Sequence, residues 1–324
     1  MIVHFRPRLW HSATLLFFVS VTAVAQSYPT KPVRLIVPQP PGGGADIVAR
    51  MIAQKLGEGL NQQVVVDNRS GAGGIVGTEL VARAQPDGYT LLIGITGSLT
   101  INPILHKNLP YRPIEDFEPI SLAVMSPYLL TVHAAVSANN VTELIALAKS
   151  KAAPINYSTP GNGSLAHLAM EWFRSATATQ FTHVPYKGSA AFNAVVAGEV
   201  PVTLVSVVSG MPQIKSGRVK ALAITGKTRS RAMPDLPTVA ESGVPGFEAT
   251  NWFGVLAPRG TPQPIINHLY KLMAASAKSA DVKERMLRDG ADSIGGTPQE
   301  FALLIKAELK RWGEVVKLSG ARVD

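Results

Sequence analysis

Three consecutive glycines between a buried strand and an amphipathic helix are the feature that most constrains this chain. They belong to Pro38–Asp46, which reads P-Q-P-P-G-G-G-A-D. The apolar run Val33–Val37 predicts a buried strand before the loop, and the apolar periodicity after the loop predicts a helix. Because glycine has no Cβ, a ligand can approach the main chain closely here. The sequence therefore predicts a site where backbone N–H groups bind an anion.

A second glycine loop, Ser158–His167, reads S-T-P-G-N-G-S-L-A-H and also lies between a predicted strand and a predicted helix. That helix is amphipathic, and Ser164 is well placed as its N-cap because its hydroxyl can accept from N–H groups of the first turn. We predict that the two glycine loops face each other across a cleft. Between them they would hold one small molecule that carries a carboxylate.

The N-terminal residues 1–25 have the composition of a secretory signal peptide. Arg6 and Arg8 lie in a basic segment, Ala13–Val24 is apolar, and Ala23–Ala25 fits a cleavage site before Gln26. The apolar run is too short to cross a bilayer, which needs roughly 20 residues. We therefore predict export to the periplasm and cleavage, rather than anchoring in the membrane.

The composition excludes several function classes. The chain has 324 residues, no cysteine and a formal net charge of +9. Without cysteine, thiolate chemistry, iron–sulfur clusters and disulfides are excluded, so hydrophobic cores must hold the fold together. The basic residues are scattered and aromatic residues make up only 6% of the chain, so binding of nucleic acid is not predicted.

The order of predicted elements indicates an α/β fold with two lobes, each a doubly wound sheet flanked by helices. The first lobe would comprise residues 26–124 and 249–324, and the second residues 125–248. The chain is long enough for two domains of ordinary size. We also predict a monomer.

Two extended apolar segments are predicted to connect the lobes. Phe117–His133 reads as two strands interrupted at Met125–Pro127, and Trp252–Ala257 reads as the return crossing. Two crossings between α/β lobes are typical of hinged binding proteins that close around a ligand. The last helix is predicted to begin at Thr297, whose hydroxyl would form a capping box with Glu300.

Enzyme signatures are missing or incomplete. Gly226-Lys227-Thr228 lacks the earlier glycine of a phosphate-binding P-loop, and no G-x-S-x-G or H-E-x-x-H motif occurs. The run Gly71–Gly77 follows the second strand rather than the first, unlike a dinucleotide-binding fingerprint. His167 and Glu171 could meet a metal, but the remaining histidines give no matching pattern. We favour a structural role for His167 and predict no metal, no cofactor and no enzymatic activity.

Several motifs in order along the chain resemble the substrate-binding proteins of tripartite tricarboxylate transporters, often called Bug receptors. They are Tyr28–Asp46 (with Y-P-T-K-P-V-R-L-I-V-P and P-G-G-G-A-D), Asn68–Gly74 (N-R-S-G-A-G-G), Pro86–Leu92 (P-D-G-Y-T-L-L), Gly161–Leu168 (G-N-G-S-L-A-H-L), Ala221–Thr225 (A-L-A-I-T), Leu236–Gly243 (L-P-T-V-A-E-S-G) and Trp252–Pro262 (W-F-G-V-L-A-P-R-G-T-P). The resemblance covers nearly the whole chain after the signal peptide.

This resemblance implies a two-lobe periplasmic-binding-protein fold of the type II-like kind. It implies a receptor that binds a small organic acid, a mono- or dicarboxylate, and delivers it to the permease subunits in the membrane. The ligand carboxylates would be held by main-chain amides, hydroxyl groups and ordered water rather than by an arginine. The alternatives are a sensor that reports its ligand to a signalling partner, and an exported α/β hydrolase or oxidoreductase.

The predicted ligand-binding residues come from the glycine loops and the strand ends beside them. They are Gln39, Gly43, Gly44, Asp46, Ala72, Gly73, Ser98, Ser158, Gly161, Gly163, Ser164, His167 and Val205. Asp46 and His167 are expected mainly to hold their loops in place. Gln39 replaces an aromatic residue usual in the family, and Val205 replaces an aspartate that many members carry. An acid at position 205 would suit a ligand amine, so Val205 favours an aliphatic or aromatic acid over an amino acid.

Overall fold

The structure is a computed structural model that describes residues 1–2, 28–150 and 152–320. The predicted signal peptide, residues 1–25, lies almost entirely outside the described residues. Within the described residues, no helix is both long enough and apolar enough to cross a membrane.

Strands and helices alternate along most of the described chain, as predicted for an α/β fold. The strands are β1 (Val33–Val37), β2 (Val64–Asn68), β3 (Thr90–Ile95), β4 (Phe117–His133), β5 (Ile155–Thr159), β6 (Phe181–Pro185), β7 (Val202–Ser206), β8 (Val219–Ile224), β9 (Thr250–Pro258) and β10 (Asp292–Ser293). The α-helices are α1 (Gly44–Leu60), α2 (Ile75–Ala82), α3 (Asn102–Leu105), α4 (Val141–Ser150), α5 (Leu165–Thr177), α6 (Ala190–Val196), α7 (Val207–Lys215), α8 (Gln263–Lys278), α9 (Ala280–Arg288) and α10 (Pro298–Ser319).

Two sheets share the long strand β4. In the first sheet, β2, β1 and β3 run parallel to one another, and β3, β9 and β4 follow as antiparallel neighbours, with β10 also on β4. In the second sheet, β4 pairs antiparallel with β7 and β8, while β7, β5 and β6 are parallel. The parallel strands put their connecting loops at the carboxyl ends, where ligands bind in folds of this type.

Strand β4 is one continuous strand, whereas the sequence predicted an interruption at Met125–Pro127. Pro127 lies opposite Thr250, at the last pairing of β4 with β9, and Tyr128 begins the pairing with β7. A proline lacks the N–H that a ladder needs. It is tolerated because it lies where β4 leaves one sheet and enters the other.

Hydrophobic clusters of buried residues lie against both sheets, and the C-terminal helix α10 contributes to one cluster at each sheet. Phe301 near its start packs edge-on against Trp252, with ring centroids 5.4 Å apart. Trp312 near its end packs against Trp172 of α5, with centroids 6.3 Å apart. Burying a large apolar side chain contributes about 1.5–3 kcal/mol. Helix α10 therefore packs against both sheets and stabilises their arrangement beside the crossing strands.

The helix starts agree with the capping predictions. The Thr297 hydroxyl accepts from the N–H of Glu300, whose carboxylate accepts from the N–H of Thr297, so the capping box is confirmed. Ser164 caps α5 by accepting from the N–H of His167 at 3.2 Å. A cap of this kind contributes about 1 kcal/mol.

Candidate functional site

A cavity of about 520 Å³ lies between the two sheets and is the candidate site. From the side of the first sheet it is lined by the start of α1, by parts of β4 and β9, and by the end of α9. From the other side it is lined by the segment before and within α6, the end of β7 and the start of α7. A depression of about 840 Å³ beside β2 and a void of about 20 Å³ beneath α1 lack converging loops of this kind.

The first glycine loop opens directly into this cavity. Gly43 is the N-cap of α1 in an extended conformation, and no side chain caps the helix there. Gly42, Gly43 and Gly44 all line the cavity and are exposed. The first N–H groups of a helix have no partner within the helix, and the helix dipole adds positive potential at this end. The start of α1 can therefore bind a carboxylate without any basic side chain.

Asp46 is hydrogen-bonded to this loop and is not among the residues that line the cavity. Its Oδ2 accepts from the N–H of Gly42 at 2.9 Å and from Nε of Arg50 at 3.0 Å. Burial by itself would raise the pKa of Asp46, but the hydrogen bonds from Arg50 and Gly42 outweigh it and keep that pKa below its usual value. The carboxylate stays charged at neutral pH and anchors the turn before α1.

The start of α7 provides a second helix N-terminus at the opposite wall. Ser206 caps α7, because its Oγ accepts from the N–H of Ser209 at 3.4 Å and donates to Ser209 Oγ at 3.0 Å. Val205, Ser206, Val208 and Ser209 all line the cavity. This wall combines an apolar surface with the hydroxyl groups of Ser206 and Ser209. The sequence predicted only the apolar contribution of Val205.

The crossing strands contribute polar groups that sequence reasoning missed. Tyr128 and Ser126 on β4 and Asn251 on β9 line the cavity. The Tyr128 hydroxyl makes no hydrogen bond within the described part of the chain. Burial raises the pKa of Tyr128 to about 12, so the group remains a protonated donor. In the sequence, the one indication for Tyr128 is that it follows Pro127. The structure shows that β4 passes from one sheet to the other at this point.

The second glycine loop lies beside the cavity and contributes only Pro160 to the lining. Ser158 is fully buried and donates to the carbonyl of Ala191 at 2.8 Å. The N–H of Gly163 donates to Nδ1 of His167 at 3.1 Å, so this loop is tied to its own helix. The wall opposite the start of α1 is formed instead by the segment that contains Ser189, Phe192 and Asn193. Sequence reasoning missed these three residues, which lie in and before the short helix α6.

Four other predicted residues lie together at the first sheet, outside the cavity lining: Gln39, Ala72, Gly73 and Ser98. Asn68 donates to the carbonyl of Gln39 at 3.1 Å, and Asn102 donates to the carbonyl of Gly73 at 3.1 Å. Ser98 is fully buried. Of the thirteen predicted residues, only Gly43, Gly44 and Val205 line the cavity. The ten that do not are Gln39, Asp46, Ala72, Gly73, Ser98, Ser158, Gly161, Gly163, Ser164 and His167.

The electrostatic character of the cavity comes from backbone groups, neutral side chains and one carboxylate. No lysine, arginine or histidine is among its described lining residues, and Asp289 is the one carboxylate there. No group of three histidine, aspartate or glutamate side chains able to hold a metal occurs in the described ranges. The arrangement suits reversible binding of a small acid.

Comparisons with known proteins agree with this geometry. Residues 48–321 match the family described as "Tripartite tricarboxylate transporter family receptor". Protein BugT of Bordetella pertussis is 36% identical over 307 residues, which are 94% of each chain. The structure "R. palustris Rpa4515 with adipate" is 36% identical, covers 91% of this chain and 100% of its own, and superposes with a TM-score of 0.84.

A second solved structure, MatC (Rpa3494) from Rhodopseudomonas palustris with bound malate, is 33% identical and has a TM-score of 0.79. It covers 89% of this chain and 100% of its own. These likenesses confirm the predicted two-lobe fold, and the family consists of periplasmic substrate-binding receptors rather than enzymes. The chain belongs to the family of tripartite tricarboxylate transporter receptors.

Proposed function

We propose that this chain captures a small organic acid, a mono- or dicarboxylate, between its lobes and delivers it to the permease subunits of a tripartite tricarboxylate transporter. The observation that carries the proposal is the uncapped start of α1 at Gly43, which opens into the cavity between the sheets. The relatives solved with adipate and malate support a carboxylate as the ligand class.

The energetics of such a site are sufficient without a buried cation. A hydrogen bond to a charged group contributes about 1.5–3 kcal/mol, and a helix N-terminus contributes up to about 2 kcal/mol. Micromolar affinity requires roughly −8 kcal/mol. A few N–H groups of the first turn of α1, together with hydroxyl groups from the opposite wall, supply this much after the cost of association.

The proposed lobes follow the sequence boundaries, with residues 26–124 and 249–324 in one lobe and residues 125–248 in the other. Gly43, Gly44 and Val205 are proposed as ligand contacts because they line the cavity. Asp46 and His167 are proposed as supports of the two glycine loops, in line with their hydrogen bonds. The remaining predicted contacts stay predictions.

A screen of thermal unfolding against mono- and dicarboxylates tests the proposal. A ligand at 100 times its Kd stabilises the folded state by about 2.7 kcal/mol, so binding acids raise the melting temperature. Shifts only with amines or sugars, or the formation of a reaction product from a bound acid, would refute the receptor function.

Alanine substitutions of glycines test whether the acid binds at the start of α1. A Cβ at Gly44 would lie 3.5 Å from Cζ of Phe253, an ordinary contact, so Gly44→Ala leaves the fold intact and puts a methyl group beside the cavity wall. We expect Gly44→Ala to lower the affinity for the acid roughly tenfold or more. The added methyl group would keep the carboxylate from one of the N–H groups at the start of α1, and one lost hydrogen bond to a charged group has an effect of this size. Gly313→Ala is the matched control, because no atom lies within 4 Å of a Cβ at this position in α10.

Export is tested on the full-length chain. We propose that the chain reaches the periplasm and loses residues 1–25 on the way. The N-terminus of the protein recovered from a periplasmic extract should then be Gln26. An intact N-terminus in the membrane fraction would contradict this proposal.

A further inference from the structure

The hydroxyl of Thr225 joins the two segments that cross between the sheets. Thr225 follows β8 and is fully buried. Its Oγ1 accepts from the N–H of Tyr128 at 2.8 Å and donates to the carbonyl of Ala249 at 2.6 Å. Tyr128 lies on β4, and Ala249 immediately precedes β9. One side chain therefore contacts both crossing segments beside the cavity.

Tyr128 lies between the two ladders of hydrogen bonds that β9 and β8 form with β4. The pairing of β4 with β9 stops at Pro127, and its pairing with β8 starts at Leu129. The N–H of Tyr128 is bonded to the Thr225 side chain, while the carbonyl of Tyr128 accepts from the N–H of Thr225 at 2.9 Å. A buried N–H without a partner costs free energy, so the Thr225 hydroxyl satisfies this group at the break between the ladders.

The main chain around this contact is closely packed. A Cβ at Gly226 would lie 3.3 Å from Cβ of Pro127, and the carbonyl of Thr225 accepts from the N–H of Ala249 at 2.9 Å. Thr225 thus holds the N–H and the carbonyl of Tyr128 from a position that is itself fixed by packing. Tyr128 lines the cavity. Because a side chain occupies one of a few rotamers, the main chain of Tyr128 determines where its ring lies.

We propose that Thr225 is a positioning residue of the binding site, because its hydroxyl holds Tyr128 where the Tyr128 hydroxyl donates to the bound acid. The Tyr128 hydroxyl has no partner within the described residues. Thr225 itself is not among the described lining residues, so it acts through Tyr128. This inference rests on the proposed function, and it assigns a role to the last residue of the motif Ala221–Thr225.

Calorimetric titration and thermal unfolding of the mature chain test the inference. The probes are adipate, succinate, malate and benzoate, and the acid that binds wild type most tightly is used with each variant. Thr225→Val keeps the shape of the side chain and removes its hydroxyl. We expect its Kd to rise roughly tenfold, the effect of losing one hydrogen bond to a charged group. Thr225→Ser keeps the hydroxyl and should bind the acid as wild type does.

Thr261→Val is the matched control, because Thr261 is buried, donates to the carbonyl of Pro258 at 2.8 Å and does not line the cavity. Both valine variants lose a buried hydrogen bond and should melt at a lower temperature than wild type, but only Thr225→Val should also lose affinity. A purely structural role of Thr225 would lower the melting temperature and leave the Kd of both variants unchanged.

The Tyr128→Phe background shows whether Thr225 acts through the tyrosine hydroxyl. Because that hydroxyl is already missing there, adding Thr225→Val should raise the Kd little further. An equal rise of the Kd in both backgrounds, or wild-type affinity in either Thr225→Val or Tyr128→Phe, would overturn the inference while the proposed function stands. If none of these acids binds wild type, the proposed function fails and the inference fails with it.

Discussion

The imidazole rings of His167 and His183 are stacked beneath the second glycine loop, with centroids 4.0 Å apart and planes inclined by 17°. His167 Nδ1 accepts the N–H of Gly163, and His183 Nε2 lies within hydrogen-bond distance of Thr159 Oγ1. Burial lowers the pKa of both rings, and for His183 the neighbouring His167 adds to the effect and brings the pKa to about 4. The stack is therefore built from two neutral rings.

Acidification should weaken the fold through this stack. Between about pH 6.5 and about pH 4, the unfolded chain binds more protons at His183 than the folded chain does, so the free energy of unfolding falls as the pH falls. Above this window both states are neutral and the contribution is constant. We expect a loss of about 1–2 kcal/mol, less than the full shift because the ring is only half-buried.

Denaturant unfolding of wild type and His183→Gln at neutral pH and near pH 4.5 measures this loss. The variant should lose less stability on acidification than wild type. His268→Gln, at an exposed position on α8, serves as the control and should behave like wild type. The same loss in all three proteins would show that the stack is not responsible.

Glu308 should make the free energy of unfolding depend on pH in the opposite direction. It is buried at 4% exposure, accepts from Nε1 of Trp312 at 2.8 Å and pairs with Arg311 at 2.9 Å. Burial raises the pKa of Glu308, with Arg311 opposing the effect. Its contribution to stability is therefore fully present below the unfolded pKa of about 4.5 and is lost as the pH rises through the folded pKa.

Glu308→Gln tests this, because glutamine keeps an acceptor for Trp312 without the buried charge. Relative to wild type, we expect the variant to gain about 1 kcal/mol of unfolding free energy between about pH 4 and pH 7. Chemical denaturation at the two pH values measures the change. A difference between variant and wild type that does not vary with pH would contradict the assignment.

The first glycine loop could be predicted from sequence because its physics is local. Val33–Val37, the glycines and the amphipathic face of α1 are contiguous, so their periodicity and backbone freedom determine the strand, the turn and the helix start. The caps at Ser164 and Thr297 were predictable for the same reason, since a cap and its N–H partner lie within three residues of each other. Local chemistry of this kind is independent of the rest of the fold.

The opposing wall could not be predicted because it depends on tertiary register. Tyr128 reaches the cavity only because β4 exchanges its partner β9 for β7 at this residue. Phe192 lies on a seven-residue helix, too short to give a clear apolar period. Strand β6 escaped prediction as well, and it pairs with β5 to form the edge of the second sheet. Such placements follow from contacts between segments far apart in sequence.

Gly254 on β9 should be required by the packing of α10. A Cβ there would collide with the ring of Phe301 and lie 2.9 Å from the carbonyl oxygen of Ser121. We expect Gly254→Ala to lower the free energy of unfolding by about 2–3 kcal/mol, as overpacking of a core does. Gly313→Ala in α10 has open space and should instead gain up to about 1 kcal/mol. Equal stabilities of the two variants in thermal or denaturant unfolding would contradict the packing argument.

Tyr128 should contribute to ligand affinity without contributing to stability. Tyr128 lines the cavity and its hydroxyl has no partner within the described residues, so we expect Tyr128→Phe to remove a hydrogen bond to the ligand and no hydrogen bond of the protein. Loss of a hydrogen bond to a charged group costs about 1.5–3 kcal/mol, so the Kd of the bound acid should rise by roughly tenfold or more while the melting temperature of the free protein stays the same.

Tyr111 provides the matched comparison, since its buried hydroxyl donates to the carbonyl of Ser98 at 2.5 Å and it does not line the cavity. Tyr111→Phe leaves that carbonyl without its donor and should lower the melting temperature of the free protein. The affinity of the Tyr111→Phe protein for the acid should stay near that of wild type. Calorimetric titration and thermal unfolding of both variants separate the two roles. An unchanged affinity in Tyr128→Phe would exclude its hydroxyl from the binding site.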